Sequence, residues 1–316
     1  MMYNEKRKKQ YISVAISVNK ELERVLTKRF NDVAEREKQW NQDLAEWTPN
    51  HILDYYKSLV NYSLESLMVL HSQFNGYARW CLANSLLPDS QNHYEEIDWT
   101  ILNKECVNQV YLQKGITTRQ ELLKLIRDPK INNVYERFLL LGLFEGIGHE
   151  GYSDFQFLTM KDFEGNTLHL KDRTIEVSPE LVELAKKSAD TYEYIPYGDA
   201  RRKWTFGQGD PRIIKRKIDG KLGQTDDKPA EELSFSGYRH IISLNMKRLS
   251  DLCNTPVFSS ALLFESGRIE MIRKYMAEEA SDAETVLSNH DKEITNQYAK
   301  IYNKGRYLEK WANFLK

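Results

Sequence analysis

The sequence predicts a mainly α-helical protein with a small β-sheet, arranged as two domains. Three observations carry that expectation. Apolar residues recur at helical spacing over most of the chain, as in the run Phe30, Val33, Ala34 and in Ile52, Tyr55, Tyr56, Leu59. Runs that suit strands are short and sit together, at 167–170 and 173–177. At 316 residues the chain is long enough for two cores, and Gly115 interrupts a turn-rich interval that places a boundary near 110–116. The expected domains are therefore 1–110, helical, and 111–316, helical with the sheet.

Composition narrows the function classes. Three cysteines, Cys81, Cys106 and Cys253, without CxxC spacing argue against a disulfide framework or a zinc site and fit a reducing cytoplasm. No metal or other cofactor is expected. No apolar run reaches membrane-spanning length, and the basic N-terminus lacks the apolar core of a signal peptide. Net charge is −1, but charge is segregated. Residues 199–221 hold eight Lys or Arg against three Asp, and residues 278–293 hold six acids against one Lys. A neutral chain so divided can still turn one cationic face to phosphates.

The elements follow in order. Lys6, Arg7, Lys8 and Lys9 begin either a frayed, solvated helix or an arm that touches phosphate. From residue 12 to about 46 the pattern is helical, with Val14, Val18, Leu22, Val25 and Leu26 on one face. Thr48-Pro49 opens a new helix, and Ser63 opens another that ends before Pro88. The polar face of this last helix would carry His71, Ser72, Asn75 and Arg79, groups suited to phosphates and base edges or simply to water. Residues 89–116 read as a connector with short helical pieces. Thr117/Thr118 then caps an amphipathic helix stopped by Pro129.

The central stretch is 137–188. A buried helix at 138–144 runs into a turn broken by Gly146, Gly148 and Gly151. A short helix carries Phe155 and Leu158 up to Asp162. After the two strand-like runs, Ser178-Pro179-Glu180 starts another helix with Ser as N-cap and Pro in the first turn. Next comes the most basic segment: Arg201, Arg202, Lys203, Arg212, Lys215, Arg216 and Lys217, interleaved with Trp204 and Phe206 and punctuated by glycines. It reads as loops or a hairpin presenting charge, to phosphate or to solvent. The last helix, 298–316, places Ile301, Leu308, Trp311, Phe314 and Leu315 on one face, for packing in its own chain or on another copy.

This order of elements resembles the tyrosine recombinases, the phage integrases among them. Ile52, Tyr55 or Tyr56, Leu59, Ser66-Leu67, Tyr77 and Trp80 sit at places matching that family's helical core-binding domain, with its T-x-x-x-I-x-x-Y-L-x-x-L, then S-x-x-S-L, then a helix ending in a Phe/Tyr-x-W pattern. Ser153-Asp154-Phe155 stands where the catalytic domain's T-G-x-R-x-S-E-L motif ends. The arginine of that motif is replaced by Gly148 or Gly151. The second arginine, in H-x-x-R, falls on Pro256 with Cys253 for the histidine, in the register that aligns the following VFSSALLFESGRIEMIRKYM. The L-G-H box falls near 276–279, where AEE stands. Lys171 matches the hairpin lysine weakly, and Tyr298, then Tyr302, matches the nucleophile.

Strand cleavage needs arginines on the non-bridging oxygens of the scissile phosphate, and losing one such donor typically costs about 10²–10³ in rate. A scaffold with glycine and proline there is expected to hold DNA without cutting it, and Tyr298 would be vestigial. The chain thus resembles the recombinase-like master lytic repressors of SPβ-type Bacillus phages. That likeness implies binding of double-stranded DNA at repeated operator elements and silencing of lytic genes, with self-association through the C-terminal helix and an antirepressor as further partners. The expected mechanism is a grip on one duplex from opposite sides, with bases read from the His71 helix and phosphates held by the basic segment. Two alternatives stay open: an active recombinase that uses Arg239, His240 and Tyr298, and a protein-binding accessory factor.

Overall fold

The computed structural model describes residues 2–17, 22–59, 62–88, 91–108, 115–195, 204–206, 209–215, 217–218, 235–253 and 259–316; within these, the side chains of 65, 149–151, 204, 217–218 and 235–241 are not described. The chain divides into two compact units, Met1–Tyr111 and Leu112–Lys316. Both are mainly helical, and among the described residues strands occur only in two small antiparallel sheets of the second unit.

The first unit is built on helices α1 (Glu5–Ile16), α2 (Leu22–Trp40), α3 (Pro49–Ser58) and α4 (Leu64–Ala83). Local rules set its boundaries. The Thr48 hydroxyl accepts from His51 N, with Pro49 at the first turn of α3, and the Ser63 hydroxyl accepts from Ser66 N to open α4. The core is aromatic: Phe30, Trp47, Tyr56, Phe74 and Tyr77 are all fully buried. Phe30 and Phe74 lie stacked with centroids 6.4 Å apart. The stripe expected over α1 and α2 is corrected in part. Ile12, Leu26, Phe30, Val33 and Ala34 face the core, but Val14 (51% exposed) and Val25 (39%) face outward. Val18 lies outside the described residues.

The N-terminal basic run is neither frayed nor wholly free. Lys8 is fully buried and its ammonium meets both carboxylate oxygens of the equally buried Glu37. Beside it Asn4 Nδ2 donates to Asp43 (2.9 Å) and Arg7 donates to Glu46 (3.0 Å). These contacts fasten α1 to the corner after α2. A short turn, His93–Glu96, follows α4 in the connector, and Tyr94 anchors it: the residue is buried and its hydroxyl donates to the Leu44 carbonyl at 3.0 Å.

In the second unit α5 (Arg119–Ile126) opens with a complete Thr118/Glu121 capping box. Helix α6 (Val134–Phe144) is apolar from Phe138 onward, and Phe138 through Phe144 are all buried. It is the axle of this unit, packed by α8 (Pro179–Ala189) and α10 (Ser260–Glu279). Gly146 and Gly148 take φ of +99° and +103°, which shapes the turn into α7 (His149–Gln156). Gly151 was expected in that turn but sits inside α7. Strands β1 (Phe163–Glu164), β2 (Thr167–His169) and β3 (Thr174–Glu176) form one antiparallel sheet, with Leu168 opposite Ile175. β4 (Glu193–Tyr194), β5 (Trp204–Phe206) and β6 (Lys217–Ile218) form the other.

The chain continues through α9 (Phe235–Cys253), α10, α11 (Ala283–Asn289), α12 (Asp291–Tyr298) and α13 (Lys304–Trp311). The single C-terminal helix expected from 298 onward is broken at Ala299, whose φ is +71°. After the break Tyr307, Trp311 and Leu315 are buried, and Lys304 Nζ donates to the Leu287 carbonyl at 2.6 Å. The apolar face of α13 is thus covered within its own chain, by α11 among others. Among the described residues no helix is long and apolar enough to cross a membrane.

Candidate nucleic-acid interface

The outward face of α4 carries three of its four expected polar groups. Leu67, Leu70, Phe74, Tyr77, Ala78 and Cys81 turn into the core, which leaves Ser66, Val69, Ser72 and Arg79 exposed. Asn75 lies at the edge, half-buried, and accepts from Asn92 Nδ2 at 2.7 Å. Arg79 Nε donates to Glu95 Oε1 at 2.8 Å. His71 is a correction. It is rotated about 100° from Ser72 around a helix of 3.6 residues per turn, and its Nδ1 lies 3.3 Å from the Tyr56 hydroxyl. Its ring is 5.6 Å from that of Tyr94. Burial pushes its pKa down, against a pull upward from a backbone hydrogen bond at Tyr94, and the ring is turned toward Tyr56 and Tyr94 instead of standing with Ser72 on the outward face.

The basic segment is only partly in view. Arg201, Arg202, Lys203 and Arg216 lie outside the described residues, and Lys217 is described only as backbone in β6. Arg212 and Lys215 are corrections to the expected phosphate set. Arg212 is 7% exposed, and its Nε sits 2.8 Å from Asp210 Oδ1 in a forked pair. Burial alone would raise the Asp210 pKa, yet the Arg212 hydrogen bonds outweigh it and hold the carboxyl below its usual range. Lys215 is 6% exposed and donates to the carbonyls of Ser188 (3.0 Å) and Ala189 at the C-terminal end of α8. There it meets the negative end of the helix dipole. Burial lowers its pKa despite nearby Asp210 and Asp190. Both cations are spent inside the fold.

The recombinase positions form a second locale. Gly148 N donates to Asp154 (2.9 Å), and Asp154 pairs with Arg173 at 2.7 Å. Arg173, supplied from the β2–β3 turn, also donates to the Gly146 carbonyl at 3.0 Å. No local pattern marks this guanidinium, because its partners lie 19 and 27 positions away. Lys171 is exposed at the same turn. Pro256 lies outside the described residues, Cys253 ends α9, and the side chains of Arg239 and His240 are not described. Glu279, in the box where L-G-H was sought, is paired with His290.

Tyr298 is 5% exposed and its hydroxyl donates to the Phe144 carbonyl at 2.8 Å. Burial pushes its pKa far up, and Glu145 and Glu270 push further in the same direction. Tyr298 lines an open groove of about 640 Å³ that also holds Glu145, Glu176, Glu270 and Glu293 against Arg119 and Lys274. Glu145 itself is engaged, by Arg119 at 2.6 Å and by Ser178 Oγ at 2.6 Å. Two guanidiniums, Arg268 and Arg119, pull the Tyr298 pKa the other way, and Arg268 is held against the chain here by donating to the Tyr298 backbone carbonyl. Tyr302, the second choice, is 91% exposed. Among the described residues no three His, Cys, Asp or Glu side chains gather as a metal site.

A helical N-terminal unit followed by a second unit of helices and small sheets is the order of the two domains that the chain matches. The chain belongs to the MrpR family: residues 2–83 match the family model "MrpR, N-terminal core-binding domain", and residues 116–314 match "MrpR, C-terminal catalytic domain". Among solved structures it is similar to a lambda integrase(75-356) dimer bound to a COC' core site, at 13% identity and a TM-score of 0.46, covering 95% of this chain and 99% of that one. It is also similar to XerA recombinase, at 11% identity and a TM-score of 0.33, covering 98% of each chain. No curated protein matches it.

Proposed function

We propose that this protein is a DNA-binding transcriptional repressor that maintains lysogeny in an SPβ-type phage, and that it holds duplex DNA without cutting it. The observation that carries this reading is the state of Tyr298. A nucleophilic phenol must stand free to attack a phosphate, and this one is 5% exposed with its hydroxyl already donated to the Phe144 backbone carbonyl. Membership of the MrpR family and the outward polar face of α4 support the DNA-binding half of the reading. The contacts proposed are Ser72, Asn75 and Arg79 from the first unit, and Arg201, Arg202, Lys203, Arg216 and Lys217 from the second. Operator repeats, self-association and an antirepressor belong to the same proposal. With its apolar face covered in cis, α13 would pair with a second copy only through its polar side or by exchange.

A gel shift on phage genomic fragments followed by footprinting tests the binding. Discrete protected repeats are expected, and no shift at moderate salt would remove the reading in favour of a protein-binding accessory factor. Within it, Arg216→Ala should weaken binding to all sequences and flatten the salt dependence by about one phosphate contact. An unchanged slope would exclude the basic segment. The rival reading, an active recombinase, draws on one observation: the Tyr302 side chain is free at the surface. A covalent adduct lost in Tyr302→Phe would establish it.

A further inference from the structure

Asn75, Asn92, Glu95 and Arg79 are not four independent surface residues. Asn92 is 7% exposed and uses its whole amide. Its Oδ1 accepts from Tyr94 N at 3.2 Å, while Nδ2 donates to Asn75 Oδ1 at 2.7 Å and to Glu95 Oε1 at 3.3 Å. Glu95 in turn takes Arg79 Nε at 2.8 Å. The turn that carries Asn92 and Glu95 cannot drift, because Tyr94 between them is buried and bonded to Leu44. The ledge therefore fixes the direction of a guanidinium whose side chain is still 64% exposed.

From this geometry we infer that Arg79, buttressed by Glu95, reads a guanine in the DNA rather than clamping a phosphate; the inference rests on the DNA-binding function proposed above. Two physical points favour a base. The Arg79–Glu95 pair is neutral as a unit, so it offers a phosphate little net attraction. With Nε engaged by the carboxylate, the two terminal nitrogens form a fork held at one angle, and a fixed fork matches the paired O6 and N7 acceptors of guanine in the major groove. Asn75 adds to the same edge. Its oxygen is held by Asn92, so its own amide N–H groups remain to donate. The ledge is a row of donors on one face of α4, and exposed Ser72 continues it toward the helix N-terminus.

The test uses the full-length chain. Wild-type protein selects duplexes from a random-sequence library, and the enriched duplex and a scrambled duplex serve as probes. Arg79→Lys keeps the charge and loses the fork. It should bind the enriched duplex about ten- to a hundred-fold more weakly, with scrambled binding unchanged, and its own selection should lose one G·C position. Replacing that guanine by 7-deazaguanine should weaken the wild type and leave the variant unaffected. Glu95→Ala, which removes both the negative charge and the buttress, should strengthen scrambled binding and narrow the gap between the two probes. If Arg79→Lys selects the same sequence as the wild type, the inference is wrong. The same holds if Arg79→Ala weakens both probes equally with a shallower salt slope, since that is the mark of a phosphate contact. A wild type that enriches nothing overturns the DNA-binding function, and this inference with it.

Discussion

Gly267→Ala probes the contact on which the second unit turns. Gly267 lies in α10 where that helix crosses the end of α6. A Cβ added there would lie 1.7 Å from the Phe144 carbonyl oxygen, 2.8 Å from its carbon and 2.6 Å from the Tyr298 hydroxyl. The nearest neighbour is backbone at the C-terminal end of a helix buried on every side, so it has nowhere to retreat. Helix propensity alone would favour alanine by about 1 kcal/mol. Overpacking of a close-packed core costs about 1–3 kcal/mol or more, and separating α10 from α6 also endangers the Tyr298–Phe144 hydrogen bond, about 1 kcal/mol. The net loss expected is about 1–3 kcal/mol. Thermal unfolding of the full chain should show it as a drop of roughly 2–12 °C for a unit of this size. Adding Tyr298→Phe should not restore stability, because the carbonyl is still in the way. Gly76→Ala is the control: its Cβ would meet only the Tyr11 hydroxyl, at 2.9 Å, the far end of a movable side chain. If Gly267→Ala is as stable as the wild type, or more so, the close approach is refuted.

The other predictions concern the ends of the chain. Burial pushes the Glu37 carboxyl up to about 7 in the folded protein, with the Lys8 ammonium pulling the other way. Between the unfolded value and 7 the native state therefore binds more protons, so this contribution to stability is fully present below about pH 4.3 and is lost as pH rises through 7. Urea midpoints measured from pH 4.5 to 8 should fall with pH, and Glu37→Gln should flatten that slope. Lys8→Met strands the buried carboxylate and should cost about 3–5 kcal/mol at pH 8, much of it recovered in the double variant with Glu37→Leu; a single-variant loss under 1 kcal/mol would contradict the buried pair. Ala299, at φ +71° and ψ 164°, occupies backbone space that suits only glycine. Ala299→Gly should therefore raise the melting temperature, and a lowered one would count against the break between α12 and α13.

What could be read from the sequence was local. Ser178-Pro179, Thr118 with Glu121, and Thr48-Pro49 announce helix starts through contacts spanning three residues, and each cap is present. The apolar run at 138–144 announced a helix buried on every side, because no polar face was left for water. Long-range partners were illegible. Lys8 finds Glu37 across 29 positions, and Lys215 finds Ser188 across 27, so charges that looked free are structural. His71 was assigned outward by its neighbours in sequence, whereas Tyr56 and Tyr94 decide its side. The break at Ala299 carries no glycine or proline to mark it, and strands of two or three residues such as β1 and β4 are too short for an alternating pattern to show.

The central proposal is that this recombinase scaffold grips a duplex it does not open. The most direct test incubates the full-length chain with a nicked suicide duplex carrying a footprinted site, and resolves the products under denaturing conditions. Retention of DNA before denaturation and no protein–DNA adduct after it is the result predicted, for the wild type and for Tyr298→Phe alike. An adduct that forms with the wild type and vanishes in Tyr298→Phe would contradict it.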